Sequence, residues 1–242
     1  MTAKETKLLK FIANSSQFVI PIYQRTYSWT EQECFQLWQD ILRAGANEKI
    51  GAHFIGSVVY VQDGNYSVSA QSSLLVIDGQ QRLTTVTLLL AALSDLLDDD
   101  QEIIEDFSKK KLTGRYLIDP FESGDKKYKL ILSQTDKDTL IALIDKSKVN
   151  FPKDYSLRVK TNYEFFKKKL AENIDDLETI CKGIAKLLIV DISLDRQYDN
   201  PQLIFESMNS TGKELTQADL IRNYILMGLE HDLQSRLYEE YW

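Results

Sequence analysis

Hydrophobic residues form their densest block between Leu74 and Leu97, and this block contains two patterns. Leu74 to Ile77 are four consecutive aliphatic residues, which is typical of a buried strand. Asp78-Gly79 is a turn signal, and residues 80–97 are helix formers without glycine or proline. The pattern therefore predicts a strand, a tight turn and a helix, around which the rest of the chain is organised.

Elsewhere, apolar residues at helical spacing predict helices, and short apolar or alternating runs predict strands. Helices are predicted at 4–13, 30–42, 136–145, 157–170 and 231–242, with one that ends at Met208 and one that Thr216 caps. Strands are predicted at 17–20, 53–61, 186–194 and, after a turn at 63–65, 66–69, with weaker candidates at 115–118 and 128–132. The fold class is therefore α+β, with a small mixed sheet, a central helix after the turn and a mostly helical lobe.

These elements divide the chain into three parts. Residues 1–100 form the predicted core, residues 101–184 a mainly helical insertion, and residues 185–242 a return strand with helices that complete the core. The chain stops inside the predicted helix 231–242, so we expect it to be the front part of a longer polypeptide, truncated before a further C-terminal domain.

Composition narrows the classes of function. The formal net charge of -7 and a pI near 5.0 argue against nucleic-acid binding through bulk charge, and basic runs such as Lys167–Lys169 are typical of solvated faces. Cys34 and Cys181 are isolated, and neither a signal peptide nor a long apolar span is visible, which favours a reduced cytoplasmic protein without a membrane partner. With His53 and His231 as its two histidines, the chain does not encode a multi-histidine metal centre or an HNH-type nuclease site.

The first turn of the central helix carries hydrogen-bond donors instead of the apolar residues that follow. These donors are Gln80, Gln81, Arg82, Thr84 and Thr85. A helix N-terminus stabilises anions, and a guanidinium group binds phosphate oxygens two at a time. Two interpretations stay open: the turn binds phosphate, or Asp78 caps the helix and Arg82 pairs with a surface carboxylate.

Other polar positions supply further candidates. In the loop 21–29, the aromatic residues either form a cavity wall or close the core; they are Tyr23, Tyr27 and Trp29. Gln24 and Arg25 in the same loop favour a functional site, because burying a polar side chain brings no gain in stability. Gly56 within a strand indicates a close approach to the backbone. The turn 209–212 either brings Asn209 and Lys213 to a phosphate or sugar, or caps two ordinary helices.

Four motifs carry a resemblance to a known family. They are Ile22-Tyr23-Gln24-Arg25 with Tyr27 and Trp29, Phe54-Ile55-Gly56, Ile77-Asp78-Gly79-Gln80-Gln81-Arg82-Leu83-Thr84, and residues 209–212 with Asp219-Leu220-Ile221. Together they resemble the N-terminal domain family of GmrSD-type, modification-dependent (type IV) restriction enzymes, which is related to the phage-defence protein SspE. The resemblance spans residues 18 to about 228.

The resemblance implies a ParB/sulfiredoxin-like core that binds a nucleoside triphosphate with Mg²⁺. It also implies that nucleotide hydrolysis is coupled to restriction of modified foreign DNA, which a C-terminal HNH-type nuclease domain or subunit cuts. The positions carried over for nucleotide binding are Tyr23, Gln24, Arg25, Gly79, Gln80, Gln81, Arg82, Thr84, Thr85, Asn209 and Lys213. The resemblance and the chemistry of the side chains together indicate catalytic roles for Asp78, Arg82 and Arg25, with Asp78 as a candidate Mg²⁺ ligand.

Alternative functions stay open at this point. The domain could be a sensing module for modified DNA with little turnover, or a ParB-like nickase, although no second carboxylate lies near Asp78 in sequence to build its metal site. A sulfiredoxin-like phosphoryl transfer is disfavoured because no cysteine lies at the turn. The sequence leaves open which nucleotide and which DNA modification are recognised, and whether the chain forms a homo-oligomer.

Overall fold

The computed structural model describes residues 1–62, 73–146, 150–195, 198–209, 216–227, 229 and 231–241. Within these ranges one mixed sheet contains the strands β1 (Thr2–Lys7), β2 (Phe18–Val19), β3 (His53–Gln62), β4 (Leu74–Asp78), β5 (Leu130–Ile131) and β6 (Leu187–Leu194). Their order across the sheet is β1-β6-β3-β4-β2-β5. β1 pairs antiparallel with β6 and β3 antiparallel with β4, whereas the other neighbours are parallel. The predicted α+β class, and the return of the strand near 186–194 to the first sheet, are confirmed.

Helices pack on both faces of this sheet. In chain order they are α1 (Leu8–Asn14), α2 (Glu31–Ala46), α3 (Gln80–Leu96), α4 (Lys109–Leu112), α5 (Gln134–Ile144), α6 (Leu157–Glu172), α7 (Leu177–Ala185), α8 (Pro201–Asn209), α9 (Gln217–Met227) and α10 (His231–Tyr241). Alternate residues of β3 point to opposite faces, so Val58 and Tyr60 join the larger core with α1, α2, α3, α6 and α7. Val59 and Val61 join a smaller core with α8.

The helix α3 lies at the centre of the larger core. Leu88, Leu89, Leu90 and Leu93 are fully buried, and α6 packs against the same helix. A helix that is apolar on all sides is a core helix rather than an amphipathic surface helix. Close packing along its length therefore holds its first turn in place beside β3 and β4.

The N-terminal segment differs from the prediction. Residues 4–13 have helical spacing, yet residues up to Lys7 belong to β1 and α1 begins only at Leu8. In the antiparallel pair of β1 with β6, Lys4 stands opposite Asp191. Pairing with a strand far along the chain outweighs a weak local helix preference, because propensity is only a weak prior. The predicted helix is therefore wrong for its first half.

The predicted insertion also differs in detail. The strand candidate at 115–118 is wrong, because a π-helical turn, Thr113–Leu117, continues α4, and Ile118 forms an isolated bridge with Tyr128. The candidate at 128–132 is confirmed in part, as the short strand β5 that pairs with β2. The predicted turn at 63–65 and strand at 66–69 lie outside the described residues. The division of the chain into core and insertion stays a prediction.

Candidate functional site

The junction between β4 and α3 is built around a glycine. β4 ends at Asp78 and α3 begins at Gln80, and Gly79 between them has a φ of 94°, in the left-handed region that favours glycine. A Cβ atom on residue 79 would lie 2.8 Å from the carbonyl oxygen of Ser57. Conformation and space both require glycine here, and the predicted strand, turn and helix are confirmed.

The N-terminus of α3 has no side-chain cap. Gly79 is the N-cap residue, and it makes no side-chain cap hydrogen bond. The interpretation that Asp78 caps this helix is therefore wrong. Because the first N–H groups of a helix lack partners within the helix, the first turn of α3 offers backbone donors and the positive end of the helix dipole.

Arg82 is positioned by β3 in that first turn. Its Nη1 donates a hydrogen bond of 2.8 Å to the carbonyl oxygen of Ser57 and lies 3.9 Å from Asp78 Oδ2. Gly56 has a φ of 117°, and a Cβ atom there would lie 2.6 Å from the Cζ of Arg82. The predicted close approach to Gly56 is confirmed, and the approaching group is the Arg82 guanidinium. The Arg82 side chain is 30% exposed and that of Asp78 26%, so solvent or a ligand can reach both.

Gln81 binds the loop that precedes α2. Its Oε1 accepts hydrogen bonds from the backbone N–H of Ser28 at 2.8 Å and of Trp29 at 3.3 Å. Its Nε2 lies 3.4 Å from the carbonyl oxygen of Thr26, to which it donates. Gln81 is buried, so this amide holds the loop 21–29 against α3 rather than facing solvent.

Gln24 and Gln80 connect the same loop to β4. The Nε2 of Gln24 donates to the carbonyl oxygen of Ile77 at 3.1 Å, and the Nε2 of Gln80 donates to the Oε1 of Gln24 at 3.4 Å. Both side chains are buried. Gln24 thus accepts from Gln80 and donates to the backbone of β4, so the structure brings together the loop and the junction that the sequence pattern indicates separately.

Tyr27 anchors the loop in the core. Its hydroxyl lies 2.7 Å from Thr85 Oγ1 and accepts a hydrogen bond of 2.9 Å from Asn162 Nδ2, while its backbone N–H donates to Asp136 Oδ2 at 2.6 Å. Burial raises the pKa of Tyr27 above its ordinary value, and burial also raises the pKa of Asp136. Tyr23 and Tyr27 are both buried, which confirms that these aromatic side chains close the core.

Sequence reasoning missed Asn162 and Asp136. Asn162 lies in the buried stripe of α6, three residues after Val159, and also donates to the carbonyl oxygen of Trp29 at 2.9 Å. An amide within an apolar stripe is the signal that could have found it. Asp136 carries no comparable signal, because its partner Tyr27 is remote in sequence.

The hydroxyl groups of Thr84 and Thr85 bond back to the backbone of α3 itself. Their hydroxyl groups each donate 2.8 Å hydrogen bonds to carbonyl oxygens one turn earlier, Thr84 to Gln80 and Thr85 to Gln81. Both threonines are buried. Of the candidates in the first turn, Arg82 is therefore the side chain that the structure presents to solvent.

The remaining candidates lie around this centre. Arg25 is partly buried in the loop, and the carbonyl oxygen of Tyr23 accepts a 3.1 Å hydrogen bond from the Nε of Arg222 on α9. Asn209 is the last residue of α8. Lys213 lies outside the described residues. The structure thus joins the loop 21–29, the junction and α9, while the position of Lys213 stays a prediction.

The carboxylate available to a cation at the junction is Asp78. Over the described ranges, no three histidine, cysteine, aspartate or glutamate side chains form a cluster that could hold a metal ion. Mg²⁺ bound to a nucleotide keeps several waters and takes one or two carboxylates together with phosphate oxygens. The partly exposed Asp78 beside Arg82 fits such a shared donor set.

Fold and junction define an α+β protein whose central helix begins at a glycine turn with an arginine on its first, uncapped turn. The sequence model of the family described as GmrSD restriction endonuclease, N-terminal domain, matches residues 7–226. The chain belongs to this family. Membership implies a restriction or defence protein for modified DNA, with DNA and a C-terminal nuclease domain as partners.

Two further findings bear on this assignment. No curated protein matches the chain. In the part of the chain that the structure describes, no helix combines the length and the apolar character needed to span a membrane.

Proposed function

We propose that the junction of β4 and α3 binds the phosphate groups of a nucleoside triphosphate, and that the domain hydrolyses this nucleotide to control restriction of modified DNA. The observation that carries the proposal is the placement of Arg82. Its guanidinium donates a hydrogen bond to the Ser57 carbonyl oxygen and occupies space that a side chain on residue 56 would fill. The Arg82 side chain is nevertheless partly exposed on the first turn of α3, which has no side-chain cap.

Phosphate binding follows from the donors at this point. A guanidinium group carries five N–H donors in a planar fork, and the Ser57 carbonyl oxygen engages Nη1. Arg82 is 30% exposed, so its remaining donors can reach a phosphate, and it lies on the first turn of α3, where the helix dipole adds positive potential. Arg25 on the adjoining loop is the candidate for a second cation on the phosphate chain.

Hydrolysis needs an oriented water and stabilisation of negative charge. Mg²⁺ bound with the nucleotide would neutralise charge on the phosphate oxygens. Asp78 would hold that ion or orient the attacking water, which is supported by its partial exposure and by the 3.9 Å distance from its Oδ2 to Arg82 Nη1. Arg82 would stabilise the charge that develops on the transferred phosphoryl group.

The buried amides give this site a link to the loop 21–29. Gln81 holds the backbone at Ser28 and Trp29, and Gln24 is held by Ile77 and Gln80. A change at the first turn of α3 would therefore move the loop that carries Arg25. The proposal includes kinship with ParB/sulfiredoxin-like nucleotide hydrolases, which the mixed sheet and the strand, glycine turn and helix support.

The test is calorimetric titration with ATP, GTP, CTP and UTP in Mg²⁺, together with an assay of phosphate release. We expect the wild-type chain to bind at least one nucleotide and Arg82→Ala to lose it. Arg115→Ala is the matched control, because Arg115 is half exposed and pairs with Asp106 away from the junction.

Three outcomes are informative. Wild-type binding that Arg82→Ala retains would contradict the site, and failure of the wild type to bind any of the four nucleotides would contradict the proposal for this domain. Binding without phosphate release would favour the sensing module, in which nucleotide is a ligand and not a substrate.

A further inference from the structure

A cavity lies at the end of β4 that is opposite the junction. It has a volume of about 860 Å³ and lies beside β1, α1 and the far ends of β3 and β6. Leu74, the first residue of β4, lines it, whereas Asp78 at the junction is four residues further on. At about 3.3 Å per residue the two ends of the strand are roughly 13 Å apart. The cavity is therefore separate from the proposed triphosphate site.

The wall of this cavity contains a buried carboxylate that the protein satisfies only in part. Asp191 on β6 is 3% exposed, and its Oδ2 lies 3.2 Å from the Nζ of Lys4. Asp191 Oδ1 has no hydrogen-bond partner. A buried acceptor without a donor is destabilising, so a ligand that supplies an N–H or O–H group to Asp191 Oδ1 would be stabilised at this wall.

Cationic side chains surround the same cavity. Lys4, Lys7 and Lys10 all line it and are exposed. Among the described residues, Lys7 and Lys10 form no ion pair, while Glu5 is a further charged residue on the lining. Three lysines against Glu5 and Asp191 leave the lining with one excess positive charge in a chain with a net charge of -7, and the exposed Lys7 and Lys10 can attract an anionic group.

Two aromatic rings complete the lining. Phe11 and Tyr60 both border the cavity, and their ring centroids are 5.8 Å apart. Both rings are buried, at 5% and 7% exposed, and belong to the larger core, so they form an apolar wall of the cavity while the lysines are the groups available to a phosphate. A carboxylate beside the rings accepts from the exocyclic amino group of a base.

We propose that this cavity binds a nucleotide unit, with the amino group of its base donating to Asp191 and its phosphate held by Lys4, Lys7 and Lys10. Lys4 contacts Asp191 Oδ2 with a side chain that is 66% exposed, so the base donor is assigned to the unpaired Oδ1 while the remaining N–H groups of Lys4 can donate to the phosphate. Adenine, cytosine and guanine carry such an amino group, and thymine does not. The ligand is either a free nucleotide or a nucleotide within a DNA strand.

The experiment titrates the wild-type chain, without Mg²⁺, with dAMP, dCMP, dGMP and dTMP, and in parallel with fluorescein-labelled oligodeoxycytidylate and oligothymidylate. We expect the amino-bearing ligands to bind more tightly than their thymine counterparts. Asp191→Asn keeps the shape of the side chain but exchanges acceptor capacity for N–H donors. It should weaken binding of amino-bearing ligands by about tenfold or more, since a hydrogen bond to a charged group contributes about 1.5–3 kcal/mol.

Further variants separate the roles of the residues. Lys4→Gln and Lys10→Gln should weaken binding of every base alike and reduce its salt dependence, because they act on the phosphate. Asp100→Asn and Lys110→Gln are matched controls on exposed positions away from the cavity. Far-ultraviolet circular dichroism and urea unfolding establish that each variant is folded.

The outcomes distinguish the ligand source and the site. Binding of oligodeoxycytidylate without binding of dCMP identifies a DNA strand as the source, and binding of both identifies the free nucleotide as sufficient. Absence of binding by any of these ligands overturns the proposal. The proposal is also overturned if Asp191→Asn binds these ligands as tightly as wild type, or if Arg82→Ala abolishes their binding. Triphosphate binding at the junction is measured in the separate titration with Mg²⁺.

Discussion

Gly56 and Arg82 are complementary in space: a Cβ atom on residue 56 would lie 2.6 Å from the guanidinium carbon of Arg82. Gly56 lies at an irregularity in the pairing of β3 with β6, between Phe54 and Ser57, and its φ of 117° is unfavourable for other residues. The backbone of β3 is thus shaped to hold one charged side chain. This relationship makes residue 56 a direct test of the junction.

Gly56→Ala should displace Arg82 and destabilise the fold by about 1–3 kcal/mol, because alanine is strained at this φ and its Cβ meets the guanidinium. Urea unfolding measures the stability, and calorimetry measures nucleotide binding, which we expect to weaken. Gly51→Ala is the matched control, since a Cβ atom there meets nothing within 4 Å. Equal stability of the two variants would contradict the packing of Arg82 on Gly56.

Gln81→Leu should detach the loop 21–29 from α3. The substitution leaves the N–H groups of Ser28 and Trp29 without their acceptor, which should lower the free energy of unfolding by about 1–3 kcal/mol. Gln81→Glu keeps the acceptor oxygen and should lose less. Gln39→Leu, on the exposed side of α2, serves as the control. If Gln81→Leu unfolds at the same urea concentration as wild type, the amide does not hold the loop.

Tyr27→Phe should destabilise the domain by about 1–2 kcal/mol without changing its fold. The substitution removes the buried hydroxyl that contacts Thr85 and accepts from Asn162, which leaves the Asn162 amide without this acceptor. Thermal unfolding followed by circular dichroism measures the effect. Tyr224→Phe is the control because Tyr224 is 67% exposed. A similar melting temperature for both variants would show that the hydroxyl network contributes nothing measurable.

Both cysteines should be unreactive in the folded protein. Burial raises the pKa of Cys34 to about 11 and that of Cys181 to about 12, so little thiolate forms at pH 8 and neither sulfur is exposed. Ellman's reagent should therefore label neither thiol until urea unfolds the chain, after which both react. Rapid labelling of the native protein would show that one of these sites opens to solvent.

Local patterns were sufficient where the deciding interactions lie within a few residues. The strand, glycine turn and helix at 74–96 are readable because the turn chemistry, the aliphatic run and the helix formers are neighbours in sequence. The start of the predicted helix at 30–42 is local in the same way, because Thr30 and Glu33, three residues apart, form a capping box at the N-terminus of α2. The same local view failed for Asp78, because helix capping depends on the φ of the next residue, Gly79.

The candidate site required tertiary information. The sequence marks Gln24, Gln80 and Gln81 as polar candidates, but only the packed structure shows that they are buried. It shows that Gln80 donates to Gln24 and that Gln24 and Gln81 bond to backbone groups. Their partners lie more than fifty residues away along the chain, and the pattern of neighbouring residues does not show which distant segments will come into contact. Arg82 differs from them because β3, rather than its own helix, determines how much of it reaches solvent.

The sequence by itself determined the α+β class, the central strand, turn and helix, and the motifs that identify the family, since each depends on local propensity or residue identity. The tertiary structure decided that β1 replaces the first half of a predicted helix, because the partner strand β6 lies at the other end of the chain. It also decided that Asp191 faces a lysine-lined cavity with one oxygen unpaired. Burial and long-range pairing arise from the whole fold, and no local window of residues contains them.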